Sequence, residues 1–266
     1  MTDNPRRFIQ SLADGDTVDE IYLVSDKQLR ANRNGNLYLQ MDLRDRTGVI
    51  NARLWNATEK QFNNLEPGDF VAVRGKVQHF QGGLQMILNG LEKVGPEQVN
   101  IRDFLPHTPM DVGKLRQSLQ AALRKMSNPH LRALAECYFM DAQFMNGFGR
   151  APAGIRNHHA YIGGLLEHVV NMLEVAERVL PLYPRVDRDL LLMGVFLHDS
   201  GKVQELGFER NFGYTDEGQL IGHMVLGVEM LTEKIAAVPE LTGEPFPREL
   251  ALRLKHMILS HHGALE

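Results

Sequence analysis

Arg188-Asp189-Leu190-Leu191-Leu192-Met193-Gly194-Val195-Phe196-Leu197, followed at once by His198-Asp199-Ser200-Gly201-Lys202, is the stretch on which the reading of this chain turns. The first part is apolar on every side of a 3.6-residue period, which predicts a helix buried within a domain. It delivers a histidine and an aspartate to the interior, side by side. Such a pair is costly to bury unless something satisfies it, and a divalent cation is the usual answer.

Working outward, the histidines crowd the same region. Eight of the eleven lie between His158 and His262. His168 falls in line with Leu165 and Met172, and His223 with Leu220, Gly227 and Met230, which places both on inward helical faces. His261-His262-Gly263 closes the last helix, Gly263 serving as its C-terminal cap. One histidine on an apolar face is more often a core residue bonded to backbone. Three of them with a buried His-Asp pair read better as a metal centre. His256 lies five residues before His261, about 140° around the helix, and reads as a non-ligand. His79, His107 and His130 carry no signal.

The first hundred residues change period. Leu37, Leu39, Met41 and Leu43 alternate with Tyr38, Gln40, Asp42 and Arg44, and Ile50, Ala52 and Leu54 with Asn51, Arg53 and Trp55. That is the two-residue repeat of half-buried strands. Turns at Asp45–Gly48, Pro67–Asp69 and Gln81–Gly83, with Thr17–Ser25 as a first strand, give five strands. A short helix near Thr58–Asn64 interrupts the third and fourth, the plan of an OB-type barrel. The period turns helical from Val112, with helices expected at Leu115–Met126, Leu131–Tyr138, Tyr161–Leu180, Arg188–Leu197, Asp216–Val238 and Pro247–His261. The fold class is thus α+β multidomain. Residues 1–95 form a five-stranded OB-type barrel, 96–112 a linker with three prolines, and 113–266 an all-α domain.

Composition sets the bounds. The 266 residues carry a formal charge of −4, with 43% hydrophobic and 23% charged residues. This is a globular balance that excludes disorder and a bulk basic binder. Residues 1–95 hold 12 basic and 12 acidic side chains, so the whole excess of acid falls in the second half. No apolar run approaches the ~20 residues that span a bilayer, and no membrane partner is expected. The single cysteine, Cys137, fits a reducing cytoplasm.

The order His168 … His198-Asp199 … His223 … His261 resembles the HD superfamily of metal-dependent phosphohydrolases. The match is closer to its YhaM-type 3′→5′ exoribonuclease branch, which joins an N-terminal OB-fold to a C-terminal HD domain. The strings running from Asn157-His158-His159 to Glu167-His168, from Leu197 to Lys202 and from Ile258 to Gly263 all look like that branch. The resemblance implies His168, His198, Asp199, His223 and His261 as metal ligands, Asp199 bridging if two ions bind. It also implies a late Asp, for which there is no counterpart before Glu266. The sequence therefore reads as C-terminally truncated and one ligand short. A mixed His and carboxylate set suits one or two divalent transition ions, Mn²⁺ first, with Fe²⁺, Zn²⁺ and Ni²⁺ as alternatives.

Around that set, Asp199 and Lys202 are catalytic candidates, Lys202 neutralising phosphate charge. His159 and His262 are candidates for phosphate contact or leaving-group protonation. On the barrel, Tyr38, Arg53, Trp55 and Lys76 form the expected single-strand face, with Lys27, Arg30 and Arg33 as further phosphate contacts. The first functional reading is a metal-dependent 3′→5′ exonuclease on single-stranded RNA, or DNA. A phosphodiesterase for a small nucleotide or cyclic dinucleotide is the second. A nucleic-acid-binding protein with a structural HD domain is the third. Assembly into a homo-oligomer is common among proteins of this type.

Overall fold

A computed structural model describes residues 6–156, 158–208 and 212–263. Asn157 and Glu266, named above, lie outside them. The chain divides into two compact units, Met1–Pro106 and His107–Glu266.

The first unit is a closed barrel. Strands β1 (Thr17–Ala31), β2 (Leu37–Asp45), β3 (Gly48–Trp55), β4 (Phe70–Phe80) and β5 (Gly83–Val94) pair in the order β1-β2-β3-β5-β4. All pairings are antiparallel except β3 with β5. Strand β1 pairs its first half with β4 and its second with β2, and a bulge between Val24 and Asp26 bends it from one partner to the other. The alternation of β2 and β3 places Leu39, Met41, Leu43, Ile50 and Ala52 inside, packed on Tyr22, Val71, Val73 and Met86. Helix α1 (Glu59–Asn63) links β3 to β4. It begins with a reciprocal capping box between Thr58 and Gln61, which satisfies two amides that a short helix leaves bare. Phe104 and Leu105, from the proline-bearing stretch after β5, are fully buried, and Phe104 meets Phe70 ring to ring at 4.8 Å.

The second unit is helical: α2 (Val112–Arg124), α3 (Pro129–Met140), α4 (Ala142–Phe148), α5 (Gly164–Val179), α6 (Arg188–Leu197), α7 (Lys202–Glu205), α8 (Asp216–Leu220), α9 (His223–Thr242) and α10 (Arg248–Ser260). A two-residue hairpin, β6 (Leu206–Gly207) with β7 (Gly213–Tyr214), joins α7 to α8. Helix α6 packs on α2, α3, α5 and α10 and is buried along nearly its whole length. Asp187 caps it by accepting the Leu190 amide at 3.0 Å. Asp189 accepts from Ser127 N, Ser127 Oγ and Asn128 N at 2.6–2.8 Å, which ties the α2–α3 turn to the start of α6.

The helix expected at Asp216–Val238 is two. Gly222, at φ +80°, breaks it, so His223 begins α9 and Leu220 ends α8, exposed rather than on the His223 face. Helix α4 was not foreseen. Among the described residues no helix is long and apolar enough to cross a membrane.

Candidate metal centre and nucleic-acid face

Three imidazoles enter the helical interior with their outer nitrogen already engaged. His198 donates from Nδ1 to the Val195 carbonyl at 2.8 Å, three residues back on α6. His261, just past α10, donates from Nδ1 to the Ile258 carbonyl at 2.7 Å. His223, at the start of α9, donates from Nδ1 to Glu205 Oε1 at 2.9 Å, and that oxygen also takes the His223 amide at 3.0 Å. Once Nδ1 carries the proton, Nε2 is a lone pair, the form that binds metal. All three Nε2 atoms face Asp199.

The carboxylate divides its oxygens between two groups. Oδ2 lies 3.3 Å from His198 Nε2 and 3.8 Å from His168 Nε2, while Oδ1 lies 3.6 Å from both His223 Nε2 and His261 Nε2. Lys202 Nζ donates to Oδ2 at 2.8 Å and to the Ala153 carbonyl at 2.7 Å. A Cβ at Gly201 would collide with the His223 carbonyl and the Gly227 amide, so only glycine lets the turn after Asp199 lie against the first turn of α9.

The electrostatics are those of a cation site. His168 Nε2 stands 3.3 Å from His198 Nε2, and His223 Nε2 stands 3.1 Å from His262 Nε2. Two nitrogens each about 2.1 Å from one ion, at right angles, are about 3 Å apart. Burial, aided by His198, lowers His168 to about 4, so it is neutral and its lone pair available at pH 7. Burial would raise Asp199, but His198, His261 and Lys202 together outweigh it and hold the carboxyl well below its usual range. Asp199 in turn raises His261 against the opposing effect of burial. Asp199 Oδ1 and His261 Nε2 are nonetheless buried without a hydrogen-bond partner. A donor set with orphaned, converging acceptors fits a divalent ion. His168, His198, Asp199, His223 and His261 would hold it.

The neighbouring candidates also converge. His262 sits beside His223, and burial lowers it. His158 and His159 hold left-handed backbones, φ +57° and +54°, a strain of about 1–3 kcal/mol each. They bring the His158 ring to 4.4 Å from that of His168, and His159 Nδ1 is buried without a partner. His158, His159 and His168 form a ligand-like triplet, as do His168, His198 and Asp199, and His223, His261 and His262. A cavity of about 370 Å³ opens on the cluster. His256 is exposed on the outer side of α10. Two residues escaped the sequence reading. Glu205 had no signal, since its partner is 18 positions away. His158 was marked only by standing next to His159.

On the barrel, Tyr38 and Trp55 are a cross-strand pair with ring centroids 5.0 Å apart. The Arg53 guanidinium lies over Tyr38 at 5.8 Å and over Phe80 at 5.0 Å. Gln40, Arg53, Ile87 and Lys76 are in register across β2, β3, β5 and β4, so Lys76 shares that outer face two strands from Arg53. Phe80, half-exposed at the β4–β5 turn, is the member that the alternation did not single out. Lys27 does not join them. Its ammonium bonds the Phe62 carbonyl at 2.8 Å and that of Leu65, closing the end of α1.

Barrel and centre define the class: a hydrolase of the HD superfamily that carries an OB-fold. Residues 23–94 match the family model described as an OB-fold nucleic acid binding domain, and residues 165–266 match the HD domain. The chain is 37% identical over 255 residues to the 3′-5′ exoribonuclease YhaM of Bacillus subtilis (strain 168), covering 95% of this chain and 78% of that protein. To the protein of that name from Oceanobacillus iheyensis it is 33% identical, covering 95% and 77%. Among solved structures, a domain of replication protein A from Methanococcus maripaludis is 24% identical over 33% of this chain and 93% of its own, with a TM-score of 0.29. The chain belongs to the YhaM family of 3′-5′ exoribonucleases.

Proposed function

We propose that this protein is a metal-dependent 3′→5′ exonuclease of single-stranded RNA, and of DNA as a second substrate. The barrel captures the strand and the HD centre cuts it. The observation that carries the reading is the Asp199 carboxylate, buried and shared between two histidine groups whose Nε2 lone pairs all face it. Direction and RNA preference rest on the family.

When bound, the divalent ion supplies Lewis acidity for phosphodiester hydrolysis. The chain does the rest. Val195, Ile258 and Glu205 fix three imidazoles by their Nδ1 protons, so that little reorganisation is needed on binding. Lys202 holds Asp199 Oδ2 and places a positive charge beside the cavity, where a phosphate gains charge in the transition state. His262 and His159 border the cluster and are the groups we assign to phosphate contact and to proton delivery to the leaving oxygen. Tyr38, Trp55 and Arg53 offer bases a stacking surface that is indifferent to sequence, and Lys76 adds charge for the backbone. A mixed nitrogen and oxygen set suits divalent transition ions better than Mg²⁺, and Mn²⁺ is the ion we assign first, with Fe²⁺, Zn²⁺ and Ni²⁺ as alternatives. We assign the protein to the cytoplasm on its single, buried cysteine.

The test is a time course with Mn²⁺ on 5′-labelled single-stranded RNA. Progressive shortening from the 3′ end with release of mononucleotides, abolished in Asp199→Ala, is the expected outcome. Intact RNA alongside cleavage of a cyclic dinucleotide would replace this reading with a small-nucleotide phosphodiesterase.

A further inference from the structure

The cavity at the centre has a second wall that the metal ligands do not use. Beside the histidines, Asp199 and Lys202, one or two turns along the helices that carry His168, His198 and His261, it is lined by Met172 on α5, Leu191, Gly194 and Val195 on α6, and Met257 on α10. Its volume, about 370 Å³, belongs to the range that encloses one small ligand and not a length of strand. Part of the lining is charged and ligand-bearing, and the adjoining turns of the same helices are apolar. A nucleotide is divided in the same way, between a phosphate and the flat face of a base.

We propose that this wall seats the base of the 3′-terminal nucleotide while its phosphate lies at the HD cluster. The proposal rests on the exonuclease reading above and adds to it the part of the substrate that the chain grips. Two thioethers suit the task, because methionine is polarisable, adapts its shape and makes favourable contacts with aromatic rings. The side chains on this wall carry no hydrogen-bond donor and no acceptor stronger than a thioether, so the edges of the base go unread and all four bases are accepted. Gly194 is the positioning residue. Glycine is unfavourable in a helix interior, and here the space it leaves is filled: an added Cβ would overlap Met257 Cε and lie 2.9 Å from its Sδ. Met257 therefore rests across α6 at Gly194 and forms the floor of the slot. A methyl group at that point moves the end of a flexible side chain into the space kept for the base, without touching a ligand.

The experiment compares two 5′-labelled single strands with the Mn²⁺-loaded full chain. The strands differ only at the 3′ end, where one carries an ordinary nucleotide and the other an abasic residue with the same phosphate linkage. Removal of the ordinary residue is expected to be about tenfold faster in kcat/KM, within the range of one base-stacking contact. The four bases should differ by much less than that. In Gly194→Ala the ratio of ordinary to abasic rates should fall towards one, with the loss in KM rather than kcat. Met257→Ala, which empties the floor instead of raising it, should lower the same ratio, and metal content and melting temperature verify that both variants are folded and loaded. Equal rates on the two strands in the wild-type protein would overturn the slot and leave the exonuclease reading standing, as would a wild-type ratio kept in both variants. Failure to shorten either strand at any Mn²⁺ concentration would overturn both.

Discussion

His223 carries a negative neighbour on its far side. Its Nδ1 proton and its own amide both go to Glu205 Oε1, and Glu205 is buried among helices. Burial would raise that carboxyl, but the His223 bond outweighs it and keeps it ionised. An ionised acceptor fixes the tautomer and makes the ring a stronger donor at Nε2. Glu205→Ala should therefore weaken divalent-metal affinity by about 10- to 100-fold, and Glu205→Gln, which keeps an acceptor oxygen, by less. Calorimetric titration of metal-stripped protein reads both. Equal affinity in Glu205→Ala and wild type would mean that His223 is not held as a ligand. The convergence of the five candidate ligands around Asp199 was legible because residue type, order and flanking strings mark them. Glu205 was not, since a supporting carboxylate is defined by the partner that folding brings to it.

At the scale of elements, α6 is the axle, and Asp189 fastens it. Replacing Asp189 by alanine strips the acceptor from two amides and a hydroxyl, for an expected loss of about 1–3 kcal/mol in denaturant unfolding. The pH dependence has a definite sign. Burial would raise the Asp189 carboxyl, but the bonds from Ser127 and Asn128, with Arg188 beside it, outweigh that and lower it. Its contribution is thus present above the unfolded aspartate value of about 4 and is lost as pH falls through the lower, folded value. The gap between wild type and Asp189→Ala should stay level from pH 7 to pH 5 and narrow only below about pH 4. A gap that already closes between pH 7 and 5 would refute it. Elements with a clean period were legible: β2 and β3 from alternation, α6 from its unbroken apolar surface. The break before α9 was not, because Leu220 and Met230 keep helical spacing across Gly222, and only the backbone turn there shows that Leu220 points to solvent. Helix α4, seven residues long, is too short for a period to declare itself.

The whole molecule pairs a charge-neutral barrel with an acidic helical unit in which the histidines cluster, and each half has its own observable. If the barrel face captures the strand, Tyr38→Ala with Trp55→Ala should weaken binding of single-stranded RNA by about five- to a hundredfold for one lost stacking platform. Hydrolysis of a small chromogenic phosphodiester, which needs only the HD centre, should be unaffected. Unchanged RNA affinity in the double variant would remove the barrel from substrate capture. The central claim concerns the other half: that the Asp199 cluster holds the ion on which hydrolysis depends. Its most direct test strips the protein of metal and adds Mn²⁺ back while nucleotide release from single-stranded RNA is followed, in wild type and in Asp199→Asn. Expected are no release from the stripped protein, saturable recovery in wild type and none in Asp199→Asn at any Mn²⁺ concentration. Release that persists in the stripped protein, or recovers equally in Asp199→Asn, would contradict it.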